Sequence, residues 1–357
     1  MLLRKYVVKE GDTIHKVAHQ FQVRVIDLLL SNHQLENASQ YIYPNEQMII
    51  PETKNAVNKK VSPYECKMEY GPSDLEEDVK FLRKYYPSLV SIQKIGNSVM
   101  GKPIYAFVVG SGKKEVFYSG GWHANEWLTS KFLMTFLKEL LQYSQAGLPF
   151  FQYQVSKILE QVKLFIVPMV NPDGIELVQQ GIYEEHPHFY SVLNINKYSR
   201  RFEHWSSNIR GVDLNHQWPA GWDVEAKESP QVPWPRHYSG RAPLTEPEVK
   251  AVYHLTKKNN FSYVLAFHSQ GQVIYWGYKS LEPVESKAMV ERLSLVSSYE
   301  PIQTADSDGG YKDWFIQETG RPGFTIEVGV GTNPLPFSAY PEIWANNSLL
   351  ALEGLLL

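Results

Sequence analysis

The sequence predicts an α/β protein: a mixed, mostly parallel sheet flanked by helices, preceded by a very small strand-helix-helix-strand unit. Three observations carry this prediction. From about residue 64 onward, short runs that are apolar throughout alternate with longer segments whose apolar residues recur every three or four positions. Before residue 52, the same two patterns occur once in a stretch too short for more than a minimal core. Between them lies a polar, aperiodic segment that reads as a linker. The expected division is therefore residues 1–52, a linker at 53–63, and a large domain at 64–357.

In the first unit, Tyr6-Val7-Val8 reads as a strand and Gly11-Asp12-Thr13 as a turn. Asp12 or Thr13 can cap a helix carrying Ile14, Val17, Ala18 and Phe21. A second helix is expected at Val25–Ser31, and Ile42-Tyr43-Pro44 turns the chain into a strand at Gln47–Pro51. In the large domain, Ser73 and Asp74 open a helix with a stripe of Leu75, Val79, Leu82 and Tyr85. Strands are expected at Val90–Ile95, Pro103–Val109, Glu115–Ser119, Val162–Pro168, Tyr263–Phe267, Gln272–Tyr275 and Gly323–Val328. Helices are expected at Glu126–Tyr143, Gln152–Gln161, Glu246–Lys258, Val284–Ser298 and Pro341–Leu356.

Composition narrows the function. The net charge of -3 gives no electrostatic reason to bind nucleic acid or an anionic membrane. No apolar run reaches membrane-spanning length, so no membrane span is expected. Cys66 is the single cysteine, which rules out an intrachain disulfide and fits a reducing compartment or a disulfide-free bacterial protein. The N-terminus lacks the apolar core of a signal peptide, which predicts a cytoplasmic protein.

The chemistry centres on Gly120-Gly121-Trp122-His123-Ala124-Asn125-Glu126, between a strand and a helix. On a first helical turn, His123 and Glu126 would face the same way. An imidazole and a carboxylate that converge suit zinc, and His268, at the tip of an apolar strand, is the candidate third ligand. Ligands of such sheets gather at the carboxyl ends of strands, where both histidines fall.

Two family resemblances follow from ordered motifs. Tyr6-x-Val8-x-x-Gly11-Asp12-Thr13, Asn32, and Ile42-Tyr43-Pro44 leading to Ile49-Ile50-Pro51 resemble the LysM domain. That resemblance implies binding of N-acetylglucosamine-containing glycan through Gly11, Asp12, Thr13, Ile14, Ile42 and Tyr43. Further along come Pro168-Met-Val-Asn171-Pro172-Asp173-Gly174, Gly211-Val-Asp213-Leu-Asn215-His216, Tyr238-Ser-Gly240 to Glu248, Gly309-Gly310-Tyr311-Lys312-Asp313-Trp314 and Phe324-Thr-Ile-Glu327. With His123, Glu126 and His268, these resemble the carboxypeptidase A family of zinc metallopeptidases from about Tyr64 to the C-terminus.

That second resemblance implies one Zn2+ per chain on His123, Glu126 and His268, with Glu327 as the catalytic carboxylate. Zinc with an open position activates water and polarises a carbonyl, and a carboxylate outside its ligand set moves the proton. A cation is expected for the oxyanion, with Arg210 the first candidate and Arg201 the second, because Trp205-Ser206 stands where the family has Trp-Arg. Asn215 and His216 correspond to the pair that grips a terminal carboxylate. His216 replaces an arginine there, and a histidine makes no permanent bidentate clamp, which argues against strict removal of a C-terminal residue. The family's mobile tyrosine would fall near Ala305, leaving Tyr311 as the nearest. Lys312 would face the leaving side chain and favour an acidic group such as that of diaminopimelate.

Fusion of the two modules resembles bacterial γ-D-glutamyl-L-diamino acid endopeptidases, which implies a peptidoglycan stem peptide cut between D-glutamate and diaminopimelate or lysine. A stem-peptide carboxypeptidase and an inactive glycan-binding protein are the alternatives. A wall substrate for a cytoplasmic protein implies action on recycled muropeptides, a role in sporulating cells, or access to the wall by lysis or an unusual route.

Overall fold

The computed structural model describes residues 4–21, 23, 25–35, 40–51, 69–304 and 307–357. The linker, Cys66 and Ala305 lie outside the described residues. The elements in chain order are β1 (Arg4–Val7), α1 (Ile14–Phe21), α2 (Val25–Ser31), β2 (Gln47–Ile50), α3 (Pro72–Tyr85), β3 (Val90–Asn97), β4 (Pro103–Val109), β5 (Lys114–Ser119), α4 (Trp127–Ala146), β6 (Pro149–Phe150), β7 (Tyr153–Gln154) and α5 (Val155–Gln161). There follow β8 (Val162–Val167), α6 (Pro172–Gln180), α7 (Phe189–Ile195), α8 (Trp222–Glu228), α9 (Pro247–Lys258), β9 (Phe261–His268), β10 (Val273–Tyr275), α10 (Glu285–Ser297), β11 (Glu300–Ile302), α11 (Tyr311–Thr319), β12 (Gly323–Glu327) and α12 (Tyr340–Glu353). The described chain forms two compact units, one of the residues before 52 with 137–158, the other of 69–136 with 159–357.

In the first unit β1 and β2 pair antiparallel, Tyr6 opposite Met48. Thr13 caps α1 by accepting from Lys16 N at 3.2 Å. Asn32 ends α2 and ties it to β2, its amide donating to Ile49 O and its Oδ1 accepting from Ile49 N, both at 2.7 Å. Residues 149–154 turn back as a short hairpin, β6 with β7, so α5 begins three residues later than the apolar spacing predicts.

The second unit is built on an eight-stranded sheet of order β11-β10-β12-β9-β5-β8-β4-β3. Its four central strands, β12, β9, β5 and β8, run parallel, and antiparallel pairs lie to either side. Val116, Phe117 and Tyr118 of β5 are wholly buried, the pattern of a strand covered on both faces. One core packs Phe117, Phe165, Phe261, Trp122, Trp218, Tyr311 and Trp314 under α9 and α11.

Helix α11 is not legible as a stripe because Tyr311 through Ile316 are all buried, Lys312 and Asp313 included, and Gln317–Thr319 are exposed, so polar and apolar residues divide along its length rather than between faces. Helices α6 and α7 are short, nine and seven residues, which leaves too little length for a period to register. His123 and Glu126 do not lie on a helix. They occupy the turn before α4, closed by Glu126 N to His123 O at 3.2 Å.

The loop from Ser206 to Gln217 is held from below by buried polar groups. Asn208 donates to Glu246 at 2.8 Å and accepts from the amides of Arg210 and Val212. Beside it Glu248, wholly buried, accepts from Val99 N at 3.0 Å. Burial pushes the Glu248 carboxyl up to about 8. The unfolded chain releases that proton near the ordinary glutamate value of about 4.3, so the folded state binds more protons between those two values. Stability is therefore predicted to fall as pH rises from about 5 to 8, and Glu248→Gln to flatten that slope. Urea unfolding of both proteins at the two pH values tests this; equal slopes would contradict it.

Candidate active site

Three neighbouring parallel strands deliver the site. His268 ends β9, Glu327 ends β12, and the two are paired in register; His123 follows β5, whose Ser119 lies opposite Ala266 of β9. The turn after β5 is close-packed. Gly121 has φ +61°, and a Cβ there would strike Ser130 and the Pro168–Met169 backbone. Its amide donates to Thr129 Oγ1 at 2.8 Å and its carbonyl accepts from Asn171 N at 2.8 Å. Asn171 also donates to Trp122 O and Ser207 O, and its Oδ1 caps α6 through Gly174 N at 3.0 Å. One side chain thus joins the His123 turn to the Ser206–Ser207 loop.

His123 Nδ1 lies 2.8 Å from Glu126 Oε1, His268 Nδ1 lies 3.2 Å from Glu126 Oε2, and the two Nδ1 atoms are 3.4 Å apart. Two nitrogens on a tetrahedral zinc, each about 2.0–2.1 Å from it, stand about 3.4 Å apart. The donor set of two imidazoles and a carboxylate therefore fits zinc in kind and in spacing. The other nitrogen of His123, Nε2, faces Asp213 Oδ1 at 3.1 Å, which fixes the tautomer and turns Nδ1 toward the cluster. His268 is buried, and its Nε2 has no hydrogen-bond partner among the described residues.

Electrostatics follow from this packing. Burial opposes a charge on His123, but Glu126 and Asp213 outweigh it and hold the imidazole well above its ordinary range. Burial likewise works against ionised Glu126, yet His123 and His268 bring it down to about 2. Glu327 differs: burial first, then the charge of Glu126, lifts its carboxyl well above the usual range, and it has no hydrogen-bond partner among the described residues. A carboxyl so placed is suited to take and return a proton.

His123, Glu126 and Glu327 line a cavity of about 420 Å³ that also includes Asn125, Ser206, Asp213, His216, Arg236, His237, Gln270, Tyr275 and Asn333. His216 Nδ1 lies 3.0 Å from Glu225 Oε1, an ion-pair distance without hydrogen-bond alignment. Glu225 borders a second cavity of about 290 Å³ with Gly277, Lys279, Asp308 and Asp313. Asp213, His216 and His237 form a second cluster of donor atoms, but one Asp213 oxygen is already committed to His123 and the other to His237 N.

Several expected roles change. Arg210 is half-exposed and pairs with Glu246 at 3.4 Å, outside the cavity lining; the backbone turn at Asn208 directs it away. Arg201 is exposed and pairs with Glu203. Tyr311 is fully buried, stacked on Trp122 and bonded to Thr256 at 3.0 Å, so it is a core residue. Lys312 is also buried; a buried ammonium needs partners, and it has Gly277 O at 2.6 Å and Asp313. It does not line the cavity. Asn215 caps α11, its Oδ1 accepting from Tyr311 N at 3.2 Å. In the first unit Ile14 and Ile42 are buried core residues, and Asp12 is occupied by Tyr6 OH at 2.6 Å and Lys9 N at 2.8 Å. Gly11, at φ +80°, and Thr13 shape the turn, while Tyr43 is exposed and packs edge-on against exposed Tyr41, ring centres 4.8 Å apart.

Sequence reasoning missed Tyr41, Asp213, Arg236, His237 and Asn333. Asp213 lies in the Gly211–His216 motif, and its position two residues before Asn215 is the signal that marks it. Asn333, which donates to Ser269 O at 2.7 Å and approaches Glu126 at 3.4 Å, had none.

Replacing Asp213 with alanine leaves all three donors in place yet frees the His123 ring. Zinc affinity, measured by chelator competition, is expected to fall about 10- to 100-fold. Unchanged affinity would show that the ring is held by its packing alone.

Comparison with known proteins agrees with the geometry. The LysM domain family matches residues 6–51, and the zinc carboxypeptidase family matches residues 75–349. The chain is 46% identical over 288 residues to gamma-D-glutamyl-L-diamino acid endopeptidase 1 of Lysinibacillus sphaericus, covering 81% of this chain and 72% of that one. It is 38% identical to the uncharacterized protein YqgT of Bacillus subtilis over 77% of this chain and 74% of that one. Among solved structures, thrombin activatable fibrinolysis inhibitor matches the fold at TM-score 0.64 and 20% identity, covering 81% of this chain and 73% of that chain. Helicoverpa armigera carboxypeptidase A matches at TM-score 0.61 and 18% identity, covering 81% and 74%. With a zinc-type donor set at its strand ends and a family match over most of its length, the chain belongs to the zinc carboxypeptidase family, with a LysM domain at residues 6–51.

Proposed function

We propose that this protein hydrolyses peptidoglycan stem peptides at the bond between γ-D-glutamate and the diamino acid. The observation that carries this reading is the site's combination of a His-Glu-His donor set with His216, rather than an arginine, beside Asn215. A cleft without a permanent carboxylate clamp accepts a chain that continues beyond the leaving residue. The likeness to the L. sphaericus endopeptidase and the LysM domain support the choice of substrate.

Zinc, when bound by His123, Glu126 and His268, supplies a Lewis acid and brings water's pKa toward neutrality. Glu327 takes the proton of the attacking water and delivers it to the nitrogen of the departing diamino acid. Water's oxygen adds to the γ-carbonyl carbon, the C–N bond breaks, and a γ-carboxylate and a free amine result. Asp213 keeps His123 in the required tautomer throughout. Residues 1–52 act as a glycan tether joined through the linker at 53–63, which raises the local concentration of stem peptides. Tyr41 and Tyr43 offer the exposed aromatic surface on that module.

Mass spectrometry of L-Ala-γ-D-Glu-meso-diaminopimelate, with and without a terminal D-Ala, tests the reaction. Release of L-Ala-D-Glu from both is expected from zinc-loaded protein, with a loss of at least about 100-fold in Glu327→Gln. Release of D-Ala alone would make the protein a carboxypeptidase and overturn the reading. For the tether, replacing Tyr41 and Tyr43 together with alanine is expected to lower retention on insoluble peptidoglycan while turnover of the soluble tripeptide is unchanged. Equal retention would remove these tyrosines from glycan binding.

A further inference from the structure

We propose that Arg236 recognises the free α-carboxylate of the γ-D-glutamyl residue, and so selects a γ-linked over an amidated or ordinary peptide substrate. This inference rests on the substrate class proposed above.

The chemistry of the bond sets the requirement. When glutamate is linked through its side chain, the attacked carbonyl carbon lies four C–C bonds from the α-carboxylate carbon, a reach of about 5 Å when extended. Bringing this scissile bond to the metal donors therefore carries a second anion into the cleft. Leaving that anion unpaired costs free energy, so a cleft that prefers such substrates needs a cation on its acyl side.

Arg236 is the one lysine or arginine among the described residues lining the cavity that holds His123, Glu126 and Glu327. It is also uncommitted. Arg201, Arg210 and Lys312 each pair with a carboxylate, whereas Arg236 has no carboxylate partner among the described residues. Among the described residues its guanidinium makes one hydrogen bond, from Nη2 to His204 O at 2.9 Å, which leaves the rest of the fork for a ligand.

The backbone around Arg236 is firmly placed. Pro235 O accepts from Ser206 N at 2.8 Å and Ser207 N at 3.0 Å, and His237 N donates to Asp213 Oδ2 at 3.0 Å. The backbone that carries Arg236 is thus anchored between a loop tied to Asn171 and the carboxylate that orients His123, and its exposed guanidinium reaches His204 O. Its direction is also defined. Asn125, between two of the metal donors in sequence, donates to Glu203 O at 3.3 Å, the carbonyl next to the one Arg236 holds. His216 lines the same cavity with its ring 5.5 Å from that of His237, and its Nδ1 faces Glu225 at the border of the second cavity. With the diamino acid leaving along the His216 side, the glutamyl group falls on the side of Asn125 and Arg236.

The test compares L-Ala-γ-D-Glu-meso-diaminopimelate with the same peptide carrying an α-carboxamide on the glutamyl residue, in zinc-loaded wild type, Arg236→Gln and Arg236→Lys. The wild type is expected to favour the acid over the amide by about 10- to 100-fold in kcat/KM, the strength of a charge-assisted hydrogen bond. In Arg236→Gln that preference collapses, mainly through a raised KM for the acid, with the amide little affected; Arg236→Lys restores part of it. Zinc stoichiometry confirms that each variant keeps its site. Equal losses on both peptides in Arg236→Gln would assign the guanidinium to the reacting carbonyl and overturn the proposal. A wild type that cleaves acid and amide equally would overturn it too. A wild type that cleaves neither would refute the substrate class itself, and this inference with it.

Discussion

The site depends on one buried carboxylate. Asp213 is almost inaccessible to solvent, and an anion so placed is tolerated only if its oxygens are fully partnered. It finds three donors from three segments: His123 Nε2 and Asn215 N on one oxygen, His237 N on the other. Each partner is held because the carboxylate needs it, so the ligand turn, the capping residue of α11 and the Arg236 segment are fixed by a single charge. The cost of burying that charge is what makes the arrangement specific. An alternative orientation of any of the three would leave the anion short of a donor.

The sheet provides the other half of the arrangement. Parallel strands β5, β9 and β12 lie side by side, so their carboxyl ends meet along one edge, and the register sets Glu327 directly opposite His268. Two carboxylates near the same donors then acquire different characters. Glu126 is held ionised by two imidazoles, whereas Glu327, at the end of a neighbouring strand and without a hydrogen-bond partner among the described residues, is raised by burial and by Glu126 itself. The difference between a metal donor and a proton carrier thus arises from position on the sheet rather than from residue type.

Much of this was legible in the sequence, for physical reasons. The central strands are apolar at their centres because both faces are covered there, and that pattern marks β5, β8 and β9 closely. His123, Glu126 and His268 were visible because each is a polar residue at the tip of such a strand or in the turn after it. What failed was the direction of long side chains. Lys312 and Arg210 stood at suggestive positions, but each found a carboxylate partner of its own, Asp313 and Glu246, that sequence spacing does not reveal. Ile14 and Ile42, which the LysM resemblance assigns to the glycan groove, fill the core of a module too small to spare them. Arg236 escaped notice because it sits in no motif; only the fold brings the 235–237 segment beside Ser206 and Asp213.

Two clusters of donor atoms flank Asp213: His123, Glu126 and His268 on one side, and Asp213 itself with His216 and His237 on the other. The metal is expected at the first, because Asp213 is spent on orienting His123. Anomalous diffraction at the zinc edge from crystals of the zinc-loaded protein decides this directly. A single peak bonded to Nδ1 of His123, Nδ1 of His268 and the Glu126 carboxylate is predicted. A peak bonded to Asp213, His216 and His237 instead would contradict the assignment of both the donors and the carboxylate that supports them.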